Sequence, residues 1–205
     1  MVRRHRMVTV EVDAAGVERR LRSGRLTCPG CTGVLTGWGH GRERTIRGLD
    51  GPLRVRPRRS RCSTCGITHM LVPITLLVRR ADAAVVIGVA LAAKATGAGY
   101  RSIAAGLGRP ADTVRGWLRR FTGRTEAVRS VFTVWLRALA SDPVMPQPAG
   151  DPWADALAAL AAAARAAAGR FRVPMVPVWE LATAVSGGRL LAPGWPPVSI
   201  NTSCP

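Results

Sequence analysis

Residues 101–121 read RSIAAGLGRPADTVRGWLRRF. Ile103 and Leu107 are spaced four apart, so they share one face of a short helix. Leu107-Gly108 then breaks it, and Pro110 opens a second helix near its first position, where a missing N–H costs nothing. Val114, Trp117 and Leu118 return an apolar face at helical spacing. Two readings fit: a DNA-reading helix-turn-helix, or two helices packed through a tight turn with a solvated arginine face. In the first, Ala104 is the small residue where the helices cross, Gly108 sits in the turn, and Val114 and Trp117 anchor the second helix. Arg109, where an apolar residue is usual, is expected on the surface of the turn, free to meet a phosphate.

With Val114, Trp117, Leu118 and Phe121 inward, the other face offers Ala111, Asp112, Arg115, Arg119 and Arg120. The first turn and Arg115 are best placed for base edges in a major groove. Arg119, Arg120 and Arg124 are assigned to phosphates. Asp112 either caps the helix or accepts from a cytosine amine. Upstream, DAAVVIGVALAAKATG (82–97) supplies the third helix of the frame.

The charge supports a polyanionic partner. The 205-residue chain carries 30 Lys+Arg against 12 Asp+Glu, a net of +18. Residues 1–80 hold 17 Arg and 5 acids, net +12; residues 81–129 net +5; residues 130–205 only +1. The partner should therefore meet the first two thirds. The longest apolar run, 83–93, is too short for a bilayer, and the N-terminus lacks the apolar stretch of a secretory signal. No membrane association is expected, and a cytoplasmic location, where thiols stay reduced, is.

Cys28-Pro29-Gly30-Cys31 and Cys62-Ser63-Thr64-Cys65 are two CxxC units, each beside a glycine, Gly33 and Gly66. Two such turns supply four thiolates to one Zn²⁺ in a closed, structural site. The 30-residue spacer is long and must contain a hairpin, read at 45–57 around Asp50-Gly51. A redox CxxC is the competing reading, but it does not account for two units. His40 and His69 are read as loop or strand residues, because four cysteines complete the shell. Cys204 is read as a free thiol.

LRVRPRRSRC (53–62) carries Arg54, Arg56, Arg58, Arg59 and Arg61. Extended, it would project Arg54, Arg56 and Arg58 from one face as a row for successive phosphates. A charged edge strand kept from aggregating is the alternative.

The fold expected is α+β and mostly α. A strand and helix occupy 1–26, a Cys₄ zinc ribbon 27–73, and a three-helix helix-turn-helix domain 78–124. An amphipathic helix (125–141) follows, with Val128, Val131, Phe132, Trp135 and Leu139 inward. Beyond it come a Pro-rich linker (142–152), an Ala-rich helical region (153–188) and an irregular tail (189–205). The near-neutral C-terminal helices are expected to dock a partner or a second copy of the chain.

CPGC, GWGHGRERTIRG and RVRPRRSRCSTCGITHMLVP followed by the helix-turn-helix resemble the bacterial domain-of-unknown-function family 6431. More broadly, residues 7–140 are similar to the N-terminal zinc-ribbon and helix-turn-helix regions of insertion-sequence transposases. The resemblance implies binding of double-stranded DNA of a mobile element, in the company of a separately encoded DDE integrase and an ATPase. It implies one zinc ion on Cys28, Cys31, Cys62 and Cys65, and a DNA-reading face at 111–120.

A catalytic transposase core needs three carboxylates on an α/β domain to hold two metals. After Phe121 only Glu126, Asp142, Asp151, Asp155 and Glu180 remain, without a run of strands. No enzymatic activity is expected. The function read from the sequence is a DNA-binding accessory or targeting subunit of a transposition system. A transcriptional regulator and the remnant of a transposase lacking its catalytic domain are the alternatives.

Overall fold

The computed structural model describes residues 7–196. Cys204 and the end of the tail lie outside the described residues. Among the described residues the chain is α+β, with seven helices, a small mixed sheet and a two-stranded hairpin.

Strand β1 (Met7–Val10) runs into helix α1 (Ala14–Arg22), whose start is set by Asp13. The Asp13 carboxylate accepts from the Ala15 and Gly16 N–H groups at 2.9 Å each, satisfying donors that no helical carbonyl can reach. Four strands follow the first cysteine pair, the last ending at Cys62 of the second: β2 (Leu35–His40), β3 (Arg44–Arg47), β4 (Pro52–Val55) and β5 (Arg58–Cys62); β6 (Thr68–Pro73) closes the region.

The main sheet has the order β1-β6-β5-β2, with β1 parallel to β6 and the other pairs antiparallel. The N-terminal strand and helix are therefore part of the cysteine-bearing layer. Val17 and Leu21 of α1 join Val10, Leu26, Cys28, Leu35, Cys62 and Leu71 in one small core.

The single arginine strand expected at 53–62 does not form. Strand β4 pairs with β3 in a separate hairpin turning through Gly48–Gly51, whereas β5 belongs to the main sheet. The chain changes sheets at Arg56-Pro57, where a proline without an N–H cannot continue a ladder. The Pro57 carbonyl accepts from Gly41 N–H instead.

The helical body begins at α2 (Ala84–Ala95), with α3 (Tyr100–Leu107) and α4 (Ala111–Thr122) packed on it. Alternate sides of α2 meet different neighbours. A Cβ on Gly88 would fall 2.0 Å from the Trp179 ring, so glycine lets α7 (Val178–Ser186) approach. Gly108, at φ +61°, ends α3 in the left-handed region, where only glycine is free of a Cβ penalty.

Helix α5 (Thr125–Leu139) packs along α6 (Pro152–Phe171). Its buried set is Val128, Val131, Phe132 and Leu136. Leu136 replaces the expected Trp135, which is exposed, because i+8 stays on the buried stripe where i+7 begins to leave it. The Ala face of α6 lies inside the chain's own core: Ala156, Ala159, Leu160 and Ala163 are buried, and Trp153 meets Phe121 in a tilted arrangement, 4.8 Å between ring centroids. Small side chains permit that close helix approach, so composition alone made the region look like a separate unit. Among the described residues no helix is long and apolar enough to cross a membrane.

Candidate metal centre and basic surface

The two CxxC turns meet at the end of the main sheet. The Sγ atoms of Cys28, Cys31, Cys62 and Cys65 all lie within 4.8 Å of one another, a set that could hold a metal ion. Cys31 and Cys62 are 3.4 Å apart, and Cys28 and Cys65 are 3.9 Å apart. A tetrahedral thiolate centre with bonds of about 2.3 Å spaces its sulfurs by about 3.8 Å, so the donor set fits one such ion.

Local backbone geometry makes the turns. Thr32 N–H donates to Cys28 O, and Gly66 N–H donates to Cys62 O. Backbone N–H groups also reach sulfur: Gly30 to Cys28 at 3.4 Å and Cys65 to Cys62 at 3.5 Å. The glycine beside the first pair is required by the neighbouring turn: a Cβ on Gly33 would stand 2.3 Å from Thr64 Oγ1 and 3.0 Å from Cys62 Sγ.

The environment drives the Cys31 and Cys62 thiols in opposite directions. Backbone N–H donation from Cys65 and then Thr64, helped by the neighbouring thiols, brings Cys62 down to about 6 against the penalty of burial. The Gly33 N–H lowers Cys31, but Cys62, Cys65, burial and Cys28 together push it up to about 12. A dication bound by the four sulfurs would favour the ionised form of Cys31 and Cys62 together.

His69 was expected to be an ordinary strand residue, and its place in β6 is as read. Its surroundings were not legible: it is buried, opposite Ser60, with Nε2 3.3 Å from Cys28 Sγ. His40 is exposed at the end of β2.

The arginines separate into those committed to the fold and those facing solvent. Arg58 pairs with Glu18 of α1 and donates to Gly39 O, so it ties helix to sheet. Arg61 lies over the Trp38 ring and donates to Gly66 O. Arg54 is largely exposed, with Glu43 at 3.4 Å. Arg56 is exposed and Arg59 half-buried.

Arg109 is not the surface side chain the turn suggested. Its Nε donates to Asp82 at 2.7 Å, Nη1 to Leu107 O and Nη2 to Gly48 O. Asp82, buried just before α2, also accepts two bonds from Arg47 of β3, at 2.9 and 2.6 Å. The backbones of Arg47 and residues 81–83 exchange hydrogen bonds beside it. One carboxylate thus joins the β3–β4 hairpin, the start of α2 and the α3–α4 turn. Burying it is tolerable because both its oxygens are met by cations.

Arg124 is also committed to the fold: it donates to Leu190 O at 3.1 Å and Ala192 O at 2.8 Å. On α4, Val114, Trp117, Leu118 and Phe121 are buried as expected. Ala111 is half-buried, Asp112, Arg115 and Arg119 are exposed, and Arg120 is half-buried with Nη1 on Gly116 O. No family model, curated protein or solved structure matches the chain.

Proposed function

We propose that the chain is a DNA-binding protein in which a Cys₄ zinc ribbon (27–73) is fastened to a helix-turn-helix (78–124), with no catalytic centre of its own. Zinc on Cys28, Cys31, Cys62 and Cys65 would act structurally, closing the two turns on each other. The observation that carries the reading is α4. Four large apolar side chains bury one face in a three-helix cluster, and the opposite face presents Arg115 and Arg119 to solvent.

A helix so held can enter a major groove as a rigid body, with Arg115 and the first turn at base edges. Arg54, Arg56, Arg59 and Arg119 supply sequence-blind affinity through phosphates. Arg58 and Arg109 leave that set, since their guanidiniums are occupied within the fold. The biological role we assign is an accessory or targeting component of a transposition system, working with a separate integrase and ATPase.

Selection of bound sequences from random duplex DNA tests the reading. Wild-type protein should enrich a motif, and Arg115→Ala should relax preference at one or two positions by about 1–3 kcal/mol. A chain that shifts no duplex in a gel would end the proposal. Genes for an integrase and an ATPase beside this one would favour transposition over transcriptional control.

A further inference from the structure

Beside α4 is an open pocket of about 370 Å³, lined in part by Arg80, Asp112, Thr113, Gly116, Arg119 and Arg120. Three arginines therefore line one concavity beside α4. None of them takes part in a salt bridge among the described residues. The Asp112 carboxylate at the rim is the only acid in the lining, so the pocket remains cationic.

Two of the three are held by backbone carbonyls. Arg80 Nη2 donates to Leu191 O at 3.0 Å, while Arg124 behind it grips Leu190 O and Ala192 O. Arg120 folds back onto Gly116 O at 2.8 Å. A Cβ on Gly116 would stand 2.8 Å from Arg120 Nη1. A glycine within α4 lowers helix propensity by about 1 kcal/mol relative to alanine, and here it makes room for that guanidinium.

The Nε of Arg80 is buried without a hydrogen-bond partner, an uncommon state for a charged group. Burial first, then Arg120 and Arg124, lowers the proton affinity of Arg80; burial and Arg120 do the same to Arg124. An anion in the pocket would offset the positive charge gathered there by Arg80, Arg119 and Arg120.

We propose that this pocket seats one phosphate of the nucleic-acid backbone, clamped by Arg80, Arg119 and Arg120. The assignment rests on the DNA-binding reading above and deepens it. It gives segment 190–192 a purpose: its carbonyls aim the arginines. The last third of the chain thereby contributes to the interface without touching the ligand. Thr113, on the first turn of α4, adds a hydroxyl at the pocket wall.

The test is the salt dependence of duplex binding, read by fluorescence anisotropy on a random-sequence duplex across a KCl series. Arg80→Gln and Arg120→Gln should each reduce the slope of log K against log[salt] by about one, leaving the selected motif unchanged. Gly116→Ala keeps every charge and favours the helix, so it serves where Arg80→Gln disturbs folding. It should weaken binding to all duplexes alike, with a melting temperature no lower than wild type. If wild type binds with a salt-dependent affinity and all three variants match it, the pocket assignment is overturned and the DNA reading stands. If wild type shows no salt-dependent duplex binding, both are overturned. A slope that falls in the variants against polyglutamate but not against duplex rejects nucleic acid as the ligand.

Discussion

Around the cysteines the buried apolar set is eight residues among those described, two of them cysteines of the candidate metal site; the larger core, built mainly by the helices, has thirty. The body contains Phe121, Phe132, Trp117 and Trp153, whereas the largest apolar side chains of the smaller core are leucines. Apolar burial at roughly 25 cal/mol per Å² can support the second region unaided. The first is of a size at which a metal is commonly needed to offset chain entropy. With a metal bound, one chain would have two sources of order, joined among the described residues by the buried Asp82 carboxylate and by Ile46 and Val72.

Removing the metal should break the comparison most visibly. Structural zinc contributes about 10–16 kcal/mol of apparent binding free energy in small ribbons. Chelation, or Cys62→Ser, should abolish amide-exchange protection in β5 and β6 while α5 and α6 keep theirs. Elemental analysis of the untreated protein should find about one zinc per chain. Protection of β5 that survives in metal-free protein would mean the small core is self-sufficient.

A smaller effect is expected at the junction. Asp82→Asn leaves Arg47 and Arg109 without their counter-charge, at a cost of about 3 kcal/mol. Calorimetry should then resolve two unfolding transitions, because the tie between hairpin, α2 and the α3–α4 turn is weakened. A single transition shifted as a whole would show that apolar contact through Ile46 and Val72, which join the larger core, suffices to couple the regions.

The smallest effects come from the helix caps. Asp13→Ala and Asp151→Ala each remove a side chain that accepts two first-turn N–H groups, worth about 1 kcal/mol. Exchange should report the first loss in α1 and the second in α6, with little crossover.

Much of this was legible in the sequence because it is written locally. Asp13 and Asp151 mark helix starts, Gly108 marks a stop, and Val114, Trp117, Leu118 and Phe121 give the buried side of α4. The paired CxxC units identified the four thiols that converge. What escaped was non-local. Nothing near Arg109 says that Asp82 will lie beneath it, and nothing near Arg58 points to Glu18. The alternating arginines of 53–62 are compatible with one strand or two, and only the partners of β4 and β5 decide. Arg80 was passed over because its neighbours in the pocket come from α4, far along the chain.

The parallel pairing of Met7–Val10 with Met70–Pro73 governs the order of events as the chain leaves the ribosome. Strand β1 emerges first and can find its place only after β6 has followed, since parallel neighbours cannot be joined by a tight turn. The thiols at 28 and 31 likewise wait for those at 62 and 65. Until then β1 is an unpaired strand in a nascent chain. The helices that follow close mostly on near neighbours and can fold quickly by comparison. If the four thiols hold a metal, its loading is therefore a late step that waits for the second cysteine pair.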